Sequence, residues 1–339
     1  MASLNYAADF HGWLPIRLWR KDGDWRVDWC WFGERHLSKP FFRDEVDLAL
    51  RLPFNQALRR DSDIQALLDW HACSPGLAPS ALLFHASRCG STLVAQLLAS
   101  QVHNIVLSEP PPLDSLLRAP LQDAAAAAWQ DAALQALLSA YGQRRRGDER
   151  QLLVKLDAWN VFDAPVLAAL YPQVPRLFLY RDPLEIVASQ LRQAGMQRVP
   201  GLLGPSAFDV LLPQAGAMGV VEYTCRMVGE ILNAGLTLCR QHGGIAVNYN
   251  ELPDATWGRL GLLLGLAPGA EQTLRQVAAF DAKQPAMNFS ADSQRKRQEA
   301  SEAVREGVRQ WAMEPYNALE GLRLSQAQAQ AGGNPRTTV

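Results

Sequence analysis

The feature that most constrains the fold is a regular alternation of short apolar runs with longer helical patterns between residues 81 and 194. Strands are expected at residues 81–86, 104–108, 152–156 and 176–180, each followed by a helix, at 91–101, 121–142, 163–171 and 183–194. Four such units in a row are typical of a parallel sheet covered by helices on both faces. Because right-handed crossovers bring the carboxyl ends of the strands to one edge, we expect ligand-binding residues directly after the strands.

The segments on either side indicate an extension and a tail. Residues 11–35 are rich in Trp and contain an Asp22-Gly23 turn between two β-prone runs, which predicts a hairpin. The sequence becomes helical from about residue 40 to 70, with residues 61–63 as a candidate cap, and residues 74–79 resemble a linker. We expect that the Trp side chains mainly pack.

Later segments continue the α/β pattern after a Gly- and Pro-rich stretch at residues 195–216, which is a candidate lid or substrate loop. The expected elements are a helix at residues 217–241, a strand at 245–249, and helices at 252–265 and 293–311. We therefore predict three parts: a Trp-rich extension (1–75), a three-layer α/β domain with a P-loop-type strand-loop-helix (76–322) and a flexible tail (323–339).

Composition excludes several classes of function. The formal net charge of the 339 residues is -1 and the pI is about 6.6, which argues against a nucleic-acid or anionic membrane partner. The five cysteines are scattered and lack a C-x-x-C pair, as expected for reduced thiols. We find neither a signal-peptide pattern nor a long apolar run, so a soluble, cytoplasmic protein is expected.

The first strand of the alternation leads into residues 87–92, with the sequence SRCGST, and then into a helical pattern from Leu93. The free N–H groups and the positive dipole end of a helix N-terminus attract an anion. Gly90 allows the backbone to approach, and Ser91 and Thr92 add hydroxyl donors. The segment thus predicts a phosphate-like ligand, although a plain strand-to-helix connection would have a similar composition.

This segment departs from the nucleotidase pattern G-x-x-x-x-G-K-[ST]. His85 stands at the position of the first glycine and Ser91 at the position of the lysine, while the positive charge is on Arg88. The departures argue against hydrolysis of a magnesium nucleoside triphosphate. They favour a metal-independent phosphate site.

A second candidate site follows the fourth strand. Asp182 and Pro183 fit the cap and the first position of a helix, which places Arg181 at its start and Ser189 about two turns along. Taken alone, this pattern indicates an ordinary capped helix with a surface arginine.

Together, residues 87–93 and residues 180–183 with Ser189 resemble the two cofactor-binding signatures of sulfotransferases that use 3′-phosphoadenosine-5′-phosphosulfate (PAPS), over about residues 80–310. The resemblance implies a P-loop fold and transfer of a sulfonate group from PAPS to a hydroxyl or amine. It implies that the loop binds the 5′-phosphosulfate and that Arg181 and Ser189 bind the 3′-phosphate, which ATP lacks. The loop residues assigned to cofactor binding are Arg88, Cys89, Gly90, Ser91 and Thr92, although any small residue would suffice at Cys89.

The arginine in the loop is more similar to the tyrosylprotein and bacterial carbohydrate sulfotransferases than to the cytosolic small-molecule branch. That resemblance implies that Glu109, after the second strand, is the base and that Lys155 and Arg88 neutralise charge on the leaving oxygen. Asp157 is a second candidate base. Without the resemblance, Glu109 would be a helix-entry carboxylate and Lys155 a strand-end lysine reaching solvent, but a lysine inside an apolar strand is unusual in a chain with only five.

Two further correspondences concern the nucleotide. Tyr249, at a strand end, is implied to lie near the adenosine, and a basic segment (Ser290, Arg295, Lys296, Arg297) resembles the one that closes over the cofactor. The glycine-rich closing sequence of the cytosolic branch is missing.

Other functions stay open. An ATP-dependent phosphotransferase would need Mg²⁺ and a loop lysine, and a non-catalytic nucleotide-binding protein would need no base. The acceptor could be a small molecule, a glycan or a peptide. The apolar character of residues 110–120 and 195–216 fits a partly apolar acceptor but equally fits packing. The oligomeric state and the role of the extension are also open.

Overall fold

The computed structural model describes residues 9–283, 287 and 293–332. The strands are β1 (Trp13–Lys21), β2 (Asp24–Trp31), β3 (Arg60–Asp63), β4 (Pro79–His85), β5 (Asn104–Ser108), β6 (Gln151–Lys155), β7 (Arg176–Tyr180) and β8 (Ile245–Asn248). The helices are α1 (Phe42–Leu50), α2 (Pro53–Ala57), α3 (Ile64–Cys73), α4 (Ser91–Ala99), α5 (Pro111–Leu117), α6 (Ala119–Gln122), α7 (Gln130–Tyr141), α8 (Ala164–Leu170), α9 (Pro183–Arg192), α10 (Ala207–Leu211), α11 (Val220–Gln241), α12 (Asp254–Trp257), α13 (Glu271–Ala278), α14 (Ser293–Glu299), α15 (Glu302–Trp311) and α16 (Met313–Gly332).

The larger sheet is parallel and five-stranded, with the strand order β5-β6-β4-β7-β8. Ser108 pairs with Lys155 at the ends of β5 and β6, and Tyr180 pairs with Asn248 at the ends of β7 and β8. The predicted α/β class with a parallel sheet and a strand-loop-helix connection is confirmed. The buried apolar runs explain this success, because strands covered on both faces are apolar throughout.

The chain divides into two compact units. Unit 1 comprises residues 1–82, 95–156 and 169–174, and unit 2 comprises residues 83–94, 157–168 and 175–339. The predicted division into extension, α/β domain and tail stays a prediction. Helix α16 covers the predicted tail as far as Gly332, and residues 333–339 lie outside the described residues.

The N-terminal part of unit 1 is a three-stranded antiparallel sheet in the order β1-β2-β3. The predicted hairpin is confirmed, with positive φ at Asp22 (51°) and Gly23 (97°), as a two-residue turn matched to strand twist requires. Asp63 is the N-cap of α3, where its side chain accepts a hydrogen bond from the Ala66 N–H. The third strand was not predicted because its sequence, RDSD, is entirely polar.

The Trp side chains of this sheet mainly pack, as predicted. Trp29 is buried and stacks on Phe10 with 3.9 Å between ring centroids, and its indole N–H donates to Ser62 Oγ (2.9 Å). Trp13 packs edge-on against Trp31 (5.7 Å). Buried indoles thus form the core of a small sheet that has few aliphatic residues.

Three predicted helices are interrupted in the structure. The predicted helix 252–265 reduces to α12 followed by turns, because glycines recur at residues 258, 261 and 265. The predicted helix 121–142 is divided into α6, a 3₁₀ turn and α7. The predicted helix 293–311 breaks where Ser301 caps α15 by accepting from the Val304 N–H.

Unit 2 ends in a helix that covers β8, the last strand of the sheet. The amide of Gln326 donates to Gly244 O and accepts from Ala246 N, both at 2.9 Å. Arg259 donates to Ala246 O (2.8 Å), and Glu251 accepts from Asn248 N (2.9 Å). Side chains therefore satisfy three backbone groups of β8, at Ala246 and Asn248, and one at the preceding Gly244. No helix in the described residues is long and apolar enough to cross a membrane.

Candidate functional site

The segment of residues 85–92, here called the anion loop, connects β4 to α4 and belongs to unit 2. Its backbone is left-handed at Ser87 (φ 63°), Arg88 (φ 50°) and Gly90 (φ 82°). Within the described part of the chain, four non-glycine residues have positive φ, and two of them are in this loop. Left-handed residues in a tight turn can direct successive N–H groups toward one concave face, which is an anion-binding geometry. Backbone strain of this kind is characteristic of functional sites.

Gly90 lies too close to its neighbours to be replaced. A Cβ atom at this position would lie 2.9 Å from both a Tyr249 ring carbon and Leu252 Cδ1. The tyrosine predicted near the adenosine therefore packs directly on the anion loop. Glycine is required at this position because its backbone is left-handed and because a side chain would contact Tyr249 and Leu252 too closely.

The inner side of the anion loop is fixed to the sheet of unit 2. The buried Cys89 thiol donates to Leu179 O (3.1 Å), the same carbonyl that accepts from Ala86 N (2.8 Å). His85 Nδ1 accepts from Ser87 N (3.0 Å), so this nitrogen carries no proton in that arrangement. The side chain of Cys89 thus holds the loop in place, and only its backbone N–H could serve an anion. His85 is buried, as expected for a packing residue, and its hydrogen bond with Ser87 N also holds the anion loop in place.

Arg88 and Arg181 are close to each other. Arg181 donates to the backbone carbonyl of Arg88 (3.4 Å) and lies over the Tyr249 ring, with Cζ 4.0 Å from the ring centroid. Arg88 itself donates to the carbonyl of Gln193, at the C-terminal end of α9 (2.8 Å). The structure therefore brings together three of the predicted cofactor-binding residues: Arg88, Arg181 and Tyr249.

A buried carboxylate holds Arg181. Glu185, whose side chain is 1% exposed, accepts hydrogen bonds from Nε of Arg181 and from Nε of Arg297 (2.7 Å). Arg297 also forms an ion pair with Asp182 (3.2 Å), the residue that caps α9 by accepting from Leu184 N. The predicted cap at Asp182 and Pro183 is confirmed. Sequence reasoning gave no role to Glu185.

The remaining residues predicted to bind the cofactor differ in burial. Ser91 and Thr92 begin α4 and are largely buried, and Ser189 is half-buried on α9. Lys296 is buried and Arg297 joins the cluster around Glu185, whereas Arg295 is exposed near Glu299 (4.0 Å). Ser290 lies outside the described residues.

Unit 1 contains Lys155 and Glu109, two of the residues predicted to be catalytic. Lys155, at the end of β6, is 1% exposed and donates to Glu109 Oε1 and to Ser108 Oγ (3.2 Å). Glu109 is 23% exposed, has a left-handed backbone (φ 56°), and donates its N–H to Lys155 O (2.8 Å). Lys155 therefore does not reach solvent, and Glu109 is more than a helix-entry residue. A left-handed backbone at a non-glycine residue is a strained conformation of the kind found at functional sites.

Phe41 connects the predicted extension to this pair within unit 1. Lys155 Nζ lies 5.0 Å from the centroid of the Phe41 ring, within cation–π range. Asp157, the second candidate base, precedes a 3₁₀ turn in unit 2 as the N-cap of a capping box with Asn160 (Asp157 N to Oδ1, 3.1 Å). Its position is explained by this local structural role.

Sequence reasoning also missed a polar cluster in unit 2. Glu320 accepts from the hydroxyl of Tyr180, from Asn248 Nδ2 (2.8 Å) and from Arg323 (2.9 Å). Burial and the hydrogen bond to Glu320 raise the pKa of Tyr180 well above its ordinary range. This cluster attaches α16 to the ends of β7 and β8. No group of three or more potential metal-ligating side chains occurs among the residues that the structure describes.

Comparisons with known proteins give only distant likenesses. No family model matches the chain, and no curated protein does. Among solved structures, a sulfotransferase from Alicyclobacillus acidocaldarius is 15% identical, with a TM-score of 0.43, covering 73% of this chain and 96% of that chain. A sulfotransferase domain from the curacin biosynthetic pathway is 16% identical (TM-score 0.41; 74% and 98% covered). A sulfotransferase domain from the Synechococcus PCC 7002 olefin synthase is 17% identical (TM-score 0.38; 73% and 95% covered).

Proposed function

We propose that the protein is a sulfotransferase that transfers the sulfonate group of PAPS to a hydroxyl or amine acceptor. The observation that carries this proposal is the pairing, in unit 2, of a left-handed anion loop with a buried arginine. Arg181 donates to the loop carbonyl of Arg88 and lies over Tyr249, which itself packs on Gly90. Two anion-binding groups beside one aromatic ring suit a nucleotide with phosphates at both ends of its ribose.

PAPS fits these residues of unit 2. The backbone N–H groups of the anion loop and the first turn of α4 would hold the 5′-phosphosulfate, with Arg88, Ser91 and Thr92 beside them. Arg181 and Ser189 would bind the 3′-phosphate, and the Tyr249 ring would face the adenosine. PAPS supplies an activated sulfonate group.

The Glu109–Lys155 pair supplies the chemistry in this proposal. Glu109 accepts the acceptor proton as the acceptor oxygen or nitrogen bonds to sulfur, and the bond between sulfur and the bridging phosphate oxygen breaks. Lys155 is assigned the stabilisation of the negative charge that develops on that oxygen, a role that the resemblance also gives to Arg88. The products are the sulfonated acceptor and adenosine 3′,5′-bisphosphate. The arginine in the loop and Glu109 together favour the tyrosylprotein and bacterial carbohydrate branch.

Nucleotide titration tests the donor half of the proposal. Adenosine 3′,5′-bisphosphate should bind at least about tenfold more tightly than ADP in the presence of EDTA, because only the former offers a 3′-phosphate to Arg181. Equal binding, or binding of ADP only with Mg²⁺, would instead support an ATP-dependent phosphotransferase. Transfer of labelled sulfonate to a panel of sugar, phenol and peptide acceptors then distinguishes an enzyme from a non-catalytic nucleotide-binding protein.

A further inference from the structure

Glu185 is a buried charged residue that the proposed chemistry does not use. It lies in the first turn of α9, and its two carboxylate oxygens accept hydrogen bonds from different arginines: Oε2 from Arg181 and Oε1 from Arg297. Arg181 follows β7, whereas Arg297 is 112 residues further along than Glu185, on α14. One carboxylate therefore links two separate elements of unit 2.

Burial makes this arrangement significant. The side chains of Glu185 and Arg181 are 1% and 5% exposed, and Arg297 is half-exposed at 50%. A buried carboxylate is costly unless its hydrogen bonds are satisfied, so Glu185 strongly constrains where both guanidinium groups can lie. Both arginines use Nε toward Glu185, and this bond fixes the rotation of each planar guanidinium.

We propose that Glu185 is the positioning residue that makes the site selective for a ribose 3′-phosphate, by orienting Arg181 and Arg297 together. This inference rests on the proposed function and adds the source of its nucleotide selectivity. Glu185 acts through the arginines and does not contact the nucleotide. Asp182 supports the same arrangement through its ion pair with Arg297.

Glu185→Gln distinguishes positioning from simple electrostatics, because the two predict opposite changes in the affinity for adenosine 3′,5′-bisphosphate. Loss of a negative charge beside an anion site would by itself tighten phosphate binding. A glutamine, however, has an NH₂ donor in place of one carboxylate oxygen, so it cannot offer Arg181 and Arg297 the two separate acceptor oxygens that Glu185 does. Positioning therefore predicts weaker binding of adenosine 3′,5′-bisphosphate, by about tenfold or more, with binding of adenosine 5′-monophosphate unchanged.

The matched control is Glu271→Gln. Glu271 accepts from Arg275 at the same four-residue spacing (2.8 Å), but this pair is exposed on α13. Its replacement should leave the affinities for both nucleotides unchanged. Arg297→Ala should lower the preference for adenosine 3′,5′-bisphosphate over adenosine 5′-monophosphate, as Glu185→Gln does. The loss of binding free energy in the double variant should be smaller than the sum of the two single losses, because the two residues act as one unit.

The experiment is calorimetric titration of each full-length variant with both nucleotides, together with hydrogen exchange of α14. We expect the Glu185→Gln variant to lose its preference for adenosine 3′,5′-bisphosphate. Its α14 amide hydrogens should exchange several-fold faster, because Arg297 loses its contact with residue 185. Unchanged or tighter bisphosphate binding by Glu185→Gln, with a selective wild type, would overturn this inference alone. A wild type that does not distinguish the two nucleotides would overturn the proposed function and this inference with it.

Discussion

The carboxylate of Glu109 accepts a hydrogen bond from Lys155, a lysine that is almost completely buried at the end of the neighbouring strand. The same two residues are joined through the backbone, where Glu109 N donates to Lys155 O (2.8 Å). This double connection holds a carboxylate and a cation in a fixed relationship. Because Glu109 is still 23% exposed, the carboxylate stays accessible while the lysine does not.

The first prediction concerns Glu109→Gln. Transfer from labelled PAPS should fall by about 10²- to 10⁴-fold, the usual contribution of a general base, while binding of adenosine 3′,5′-bisphosphate is retained. The melting temperature should also fall, because Lys155 loses its charged partner, so the assay is run at a temperature where circular dichroism shows folded protein. Retained transfer in Glu109→Gln together with loss of transfer in Asp157→Asn would identify Asp157 as the base.

The second prediction concerns Lys155→Met, which keeps most of the length of the side chain and removes its charge. We expect transfer to fall about 10²-fold or more, since the cation that stabilises the leaving oxygen is lost. Stability should change little, because the partly exposed Glu109 carboxylate can be hydrated. Single-turnover rates and thermal unfolding measure the two effects separately. An unchanged rate would mean that Lys155 only holds Glu109 in place.

The third prediction compares two left-handed glycines. Gly90→Ala should abolish nucleotide binding, because the added Cβ would lie 2.9 Å from Tyr249 and from Leu252. Gly147 has a similar φ (86°) and nothing within 4 Å of a Cβ, so Gly147→Ala adds backbone strain without this contact. Both variants should lose about 1 kcal/mol of stability from strain, but only Gly90→Ala should lose binding in the titration. Comparable binding losses in both would show that strain alone is responsible.

The fourth prediction concerns alkaline pH. Burial raises the thiol pKa from 9.0 to about 11 at Cys30 and Cys225, and to about 12 at Cys239. Since the unfolded chain releases these protons near pH 9 and the folded protein retains them, the unfolding free energy is undiminished below pH 9 and falls between pH 9 and 12. Melting temperatures under reducing conditions should therefore drop across this range. Cys239→Ala should reduce the pH slope, whereas replacement of the exposed Cys73 should leave it unchanged.

Much of the fold could be predicted because its signals are local. The apolar strands, the Asp22-Gly23 turn and the Asp182-Pro183 helix start each depend on a few adjacent residues. The prediction of a helix over residues 252–265 was wrong, because the three glycines in this segment disfavour a continuous helix. Strand β3 was missed because it is stabilised by pairing with β2 rather than by apolar side chains.

The candidate site was only partly predictable. The anion loop and Arg181 are visible as motifs, but the left-handed backbone at Ser87, Arg88 and Glu109 is not, because non-glycine residues rarely adopt it. The contact of Glu185 with Arg297 spans 112 positions and has no local signature. Pairings of this kind are determined by tertiary packing, which a single sequence does not reveal.

The side chains along β8 have a consequence for the behaviour of the protein in concentrated solution. Gln326, Arg259 and Glu251 form hydrogen bonds with Ala246 N, Ala246 O and Asn248 N of this strand, respectively. An incoming extended segment from another molecule would find those groups already engaged and would have to displace three side chains to pair with them. This margin of the sheet is therefore protected against strand-to-strand polymerisation by residues of its own chain.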